Sequence, residues 1–225
     1  MFFRRFFILF ILFFSFCRVL SSFSLFQQPK KLVMINPAGD AKNVGRKLVE
    51  GFERGVTLQF SEEIQKGLTD KYGHRVVLTR SPGEAVLPLQ NASYANRSKA
   101  DFFLSLHVYR QEEPKPKVIV YHLLYNPMVD LAQNNFNSFT FVPIHQAHFQ
   151  NISRTVGFAN NVKSVLNNGE FKKKLDFYGP YGLPFKPLVG IVAPSIAIEV
   201  GICEDNNWKH LVEPIVEGLN FLENL

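Results

Sequence analysis

Three side chains in this sequence stand where chemistry could be done: Glu53, His107 and Glu199. His107 closes the run Ala100-Asp101-Phe102-Phe103-Leu104-Ser105-Leu106-His107, a mostly apolar stretch of the kind that forms a strand buried on both faces. An imidazole at the carboxyl end of such a strand sits where open α/β sheets place their ligands, although a core-edge histidine bonded to a backbone carbonyl has the same signature. Glu199 lies among Ile196, Ile198 and Val200 in a second buried run. A carboxylate there is costly unless it is paired, bound to a cation or kept as a general base. Glu53 lies three residues before Val56 and seven before Phe60, on the same side of a helical period. It either faces the helix dipole and solvent or binds a metal. If the three converge, nitrogen and oxygen ligands beside an unpaired carboxylate suit a hydrolytic zinc centre. Zinc would polarise a carbonyl and lower the pKa of its bound water to about 7, and the second glutamate would carry the water's proton to the leaving amine.

The elements that must hold these groups follow in order. Lys31 to Asn36 reads as a strand, broken by Pro37-Ala38-Gly39-Asp40, and a loop runs on to about Gly51. A helix is expected from about Phe52 to Lys71, with Val56, Phe60, Ile64 and Leu68 as its stripe and Gly73 ending it. A strand over 74–80 completes a βαβ unit, which implies a parallel sheet. Leu87 to Lys99 suits a second helix with Ala92, Tyr94 and Ala95 inward. Strands over 102–107 and 117–124 follow. No clear period shows from Tyr125 to about Phe149, a stretch that contains His145 and His148. Asn151 to Leu166 reads as a helix with Ile152, Val156, Val162 and Val165 as its contacts. Strand 195–201 precedes a closing helix from about Pro214, with Ile215, Leu219 and Leu222 inward. The expected fold is a single α/β domain over 25–225, a mostly parallel twisted sheet with helices on both faces.

Residues 1–24 have the layout of an export signal: Arg4 and Arg5, an apolar run from Phe6 to Phe16, then small residues around Ser21 to Ser24. An uncleaved signal anchor would keep the N-terminus in contact with a membrane, so the protein is expected in the periplasm or cell envelope. Losing that segment removes Arg4, Arg5 and Arg18 and takes the formal charge from +6 to +3, which gives no reason to invoke nucleic acid. It also leaves Cys203 as the single thiol, so any metal site should rest on nitrogen and oxygen ligands.

Several ordered segments resemble the zinc-dependent N-acetylmuramoyl-L-alanine amidases of bacterial cell-wall turnover, over about residues 31 to 224. Ala95 to His107 is similar to that family's A-N-x-x-x-A-D-x-F-x-S-x-H, Val76 to Arg80 to its V-x-L-T-R strand, and Pro194 to Gly201 to its P-x-x-x-x-E-x-G segment. The resemblance implies an exported hydrolase that cuts the amide between N-acetylmuramic acid and L-alanine in peptidoglycan. Glu53 and His107 would be zinc ligands and Glu199 the catalytic acid/base. The family's first motif, D-P-G-H-G-G, departs here to Asn36-Pro37-Ala38-Gly39-Asp40, with Gly39 at the place of the histidine ligand. Asp40 could substitute as a ligand, and His145 or His148 could fold in. The family's arginine before the A-N pair is replaced by Asn91 or Ala92. An alternative implied by these losses is a catalytically inactive descendant that binds peptidoglycan or a partner; a third is a hydrolase of another amide.

Overall fold

The computed structural model describes residues 30–87, 89–124 and 143–220; the segment read as an export signal and Leu222 lie outside them. Six strands form one sheet: β1 (Leu32–Pro37), β2 (Arg75–Leu78), β3 (Phe102–Arg110), β4 (Lys117–Leu123), β5 (Asp176–Leu183) and β6 (Ser195–Ile202). Their order is β2-β1-β3-β6-β4-β5. The first four are mutually parallel; β4 runs antiparallel to β6 and parallel to β5. β1, β3 and β6 are central because their residues are apolar on both faces, and nearly all of each strand is buried.

The sheet's two faces carry different helices. On one, α1 (Glu53–Tyr72), α3 (Ile152–Leu166) and α5 (Val212–Gly218) pack Phe60, Ile64, Leu68, Val162, Leu166 and Ile215 against alternate residues of the central strands, including Leu104, Leu106 and Ile198. On the other, α2 (Gln90–Arg97) and the segment 188–193 cover Met34, Phe103 and Ala197. A one-turn helix, α4 (Phe171–Lys174), precedes β5.

α1 ends as its sequence implies, with the Gly73 N–H bonded back to the carbonyls of Leu68 and Thr69. Its buried face is wider than the expected stripe, because Thr57 and Ser61 are buried as well while Val56 is only half-buried. α2 starts at Gln90 rather than Leu87, because Leu89 adopts a left-handed conformation (φ 61°) that a helix cannot continue through. α3 occupies its expected span with a different phase. Thr155, Phe158, Ala159, Val162 and Leu166 face the sheet, and Phe158 meets Phe102 edge-on at 5.7 Å.

Candidate active site

The carboxyl ends of β3 and β6 form the floor. His107 and Glu199 are register partners across this parallel pair, so both side chains rise on the same face. Along β3 that face changes from apolar to polar, from Phe103 through Ser105 to His107. Asn36 on β1 is in turn the register partner of Ser105. A row of hydrogen bonds results. Asn36 Nδ2 donates to Ser105 Oγ at 3.0 Å, and Ser105 Oγ lies 2.9 Å from His107 Nε2. Since Ser105 accepts from Asn36, its hydroxyl proton is available to Nε2. The neutral ring then carries its own proton on Nδ1, which faces Glu53 Oε1 at 3.4 Å. Phe185 holds the ring edge-on at 5.2 Å.

The sequence Ser105–His107–Glu53 has the order of a nucleophile, base and carboxylate. Ser105 is nonetheless fully buried, so the row orients the imidazole and does not present a nucleophile.

Glu53 reaches this row from the first turn of α1 and is itself buried. Its Oε1 accepts the Val108 N–H at 3.1 Å and its Oε2 the Arg46 N–H at 3.0 Å. Burial pushes its carboxyl up, but His107 and the two amide donors prevail and hold it below its ordinary range. Glu199 is gripped differently. Its Oε1 takes a 2.5 Å ion pair from Arg46 Nη1, and its Oε2 accepts the Tyr121 hydroxyl at 3.0 Å. Burial and the neighbouring Glu199 both raise the Tyr121 phenol, which stays protonated as a donor. For the Arg46 guanidinium, burial works against the charge, and Glu199 more than restores it.

The loop after β1 is fastened to the sheet by a buried cation. Arg80 donates to the carbonyls of Pro37, Ala38 and Arg54 at 3.0, 3.1 and 2.8 Å, and Thr57 Oγ1 donates to Ala38 at 2.7 Å. Gly39 has φ +76°, and a Cβ built there would lie 2.8 Å from Arg54 Cβ. Asp40 turns its Oδ1 onto the N–H groups of Lys42 and Asn43, each at 2.7 Å. Burial raises its carboxyl, but these amides outweigh it and leave the carboxyl below its usual range. His145 and His148 lie on a 3-10 turn over 144–151. Among the described residues no three His, Cys, Asp or Glu side chains come together to hold a metal, so Asp40, His145 and His148 do not complete a set with Glu53 and His107. The two candidate ligands that do meet, Glu53 and His107, face each other at 3.4 Å, and Gly39 offers no third donor. The residues present do not fit the three-ligand zinc that the sequence resemblance implies.

Beside His107 opens a cavity of about 780 Å³, bounded by Ala38, Asp40, Leu87, Leu89 and Lys186. His107 is the one member of the trio that lines it. Its walls are largely apolar, with the exposed Leu87 and Leu89 at the rim.

The family described as N-acetylmuramoyl-L-alanine amidase matches residues 33–216 of this sequence. The chain belongs to that amidase family. Solved structures with the same fold include the amidase AmiC2 of Nostoc punctiforme, at 21% identity, 88% of this chain, 99% of that one and a TM-score of 0.62. The catalytic domain of CwlV from Bacillus (Paenibacillus) polymyxa var. colistinus matches at 17% identity, 86% and 98% coverage and a TM-score of 0.60. Ami1 of Mycobacterium smegmatis matches at 15% identity, 88% and 98% coverage and a TM-score of 0.58. No curated sequence matches the chain significantly.

Two features of this amidase-family site were not evident from the residue pattern. Arg46 reads as one more loop residue, and the one hint is Gly45 immediately before it. A Cβ at Gly45 (φ +77°) would fall 2.7 Å from Glu53 Oε2, so the loop is moulded onto that carboxylate. The second is a contact between two neutral amides: Asn36 Oδ1 accepts from Asn91 Nδ2 at 2.9 Å.

Proposed function

We propose that the protein acts on peptidoglycan as an exported amidase, hydrolysing the amide between N-acetylmuramic acid and L-alanine with Glu199 as the proton-transfer group. The observation that carries this reading is the register pairing of His107 with Glu199 at the carboxyl edge of an amidase-family sheet. Each Glu199 oxygen has one protein partner and keeps a lone pair for water. As the water oxygen bonds to the carbonyl carbon, Glu199 takes its proton and then delivers it to the nitrogen as the C–N bond breaks. The products are a carboxyl group on the muramic acid and a free L-alanine amine. His107, locked by Ser105 and Glu53, is the member of the trio that the substrate meets on the cavity wall. The envelope location rests on residues 1–24; among the described residues no helix is long and apolar enough to cross a membrane.

A second reading, binding without turnover, is favoured by one specific observation: the first motif offers Gly39 where the family has a ligand. Purified peptidoglycan incubated with wild-type protein distinguishes the two. Hydrolysis releases new L-alanine amino termini, and Glu199→Gln lowers that release by about 100-fold or more. Cosedimentation with peptidoglycan and no release by the wild type would overturn the enzyme reading in favour of the binder.

A further inference from the structure

Among the described residues, Arg46 is the one that grips both Glu53 and Glu199. Its backbone N–H donates to Glu53 Oε2 at 3.0 Å and its guanidinium Nη1 to Glu199 Oε1 at 2.5 Å. The surrounding loop is built to present it. Glu53 N–H bonds back to the Arg46 carbonyl at 2.8 Å, and Arg54 N–H to the Val44 carbonyl at 3.1 Å. Farther along the loop, the Asp205 carboxylate accepts the N–H groups of Val49 and Glu50 at 2.9 and 2.8 Å. The guanidinium also lies 5.8 Å from the centre of the Tyr109 ring, a cation–π distance.

The groups that could bind a metal are engaged with protein partners in the same framework. Glu53 accepts two amide donors, His107 uses one nitrogen on Ser105 and turns the other to Glu53, and Asp40 closes its own turn. At position 39 a side chain would require a positive φ and would press on the Arg54 backbone and Cβ, so a histidine cannot simply be put back.

We propose that Arg46 is the resident cation of this site, its guanidinium neutralising Glu199 while its backbone N–H holds Glu53, so that the chain neither needs nor holds zinc between Glu53 and His107. This holds whether the amide is cut or only bound.

The test uses the full chain, stripped with a chelator, given one equivalent of zinc and passed through a desalting column. The expected result is well under about 0.2 zinc per chain, with a Tm that agrees within about 1 °C in chelator and in zinc. Arg46→Ala should lower the Tm by about 2–4 °C in both conditions, and Arg46→Lys should fall between because lysine keeps the charge without the fork. One zinc retained per chain, with a Tm raised by about 5 °C or more in zinc, overturns the proposal. So does an Arg46→Ala protein with unchanged Tm. Should Arg46→Ala fail to fold, the wild-type zinc stoichiometry and Arg46→Lys still decide. A failure to bind or cut peptidoglycan would count against the proposed function and leave this result untouched.

Discussion

The two halves of the site have different origins. Ser105, His107, Glu199 and Tyr121 stand on strands, and their mutual placement is set by the β3–β6 and β4–β6 ladders. Gly39, Asp40 and Arg46 stand on the loop after β1, and Asn91 belongs to the short helix α2. In the strand half, Ser105, His107 and Glu199 fall in the segments that resemble the family's motifs, whereas the first motif departs from its pattern. A ladder fixes register over the whole sheet, so moving one strand residue disturbs the core on both faces. A loop held by a few hydrogen bonds can change composition while its ends stay in place. The comparison teaches that residues fixed by a ladder and residues fixed by a loop can meet in one site while only the loop departs from the motif.

Removing the clamp between the halves has the largest expected effect. Arg80→Ala removes a buried donor shared by three carbonyls, of which Ala38 keeps Thr57, and should cost on the order of 4 kcal/mol in urea unfolding. Protection of the β3 and β6 amides from hydrogen exchange should persist relative to that lowered global stability, while exchange in the 37–46 loop rises more. Equal loosening of both would erase the distinction.

The neutral pair gives the next effect. Asn36→Asp places an unpaired carboxylate in a buried position and should cost about 3 kcal/mol. Asn91→Arg in the same chain should recover most of it, because the two positions already touch. A double variant no more stable than Asn36→Asp alone would show that the two replacements are unrelated.

The smallest effect is a pH dependence. Glu53 titrates below its ordinary 4.5 in the folded protein, so between the two values the unfolded chain binds more protons. Its contribution is fully present above 4.5 and is lost as pH falls through the depressed folded value. Thermal unfolding followed from neutral to acid pH should therefore show a decline that flattens in Glu53→Gln.

Much of this arrangement is legible in the residues alone. β1, β3 and β6 announce themselves as apolar runs, and α1 does so by its stripe and its closing glycine. The phase of α3 is less legible, because its β-branched residues suggest one face and Phe158 with Leu166 decides for another. The start of α2 depends on the backbone of Leu89, which no side-chain period records. Glu53, His107 and Glu199 stand out because charged or titratable groups in apolar surroundings need partners. Who those partners are was beyond the pattern: Arg46 and Glu199 are 153 positions apart, and their contact exists only once β6 is placed beside β3. Asp40 shows the converse, since an acid beside a missing ligand looks like its substitute until its oxygens are found on Lys42 and Asn43.

The most direct test of Arg46 as the resident cation is a crystal structure of the protein soaked with zinc, with anomalous diffraction recorded at the zinc edge. The result expected is the Arg46 guanidinium on Glu199, His107 still on Ser105, and no anomalous peak between Glu53 and His107. A peak bonded to both of those side chains, with Arg46 swung away from Glu199, would contradict it.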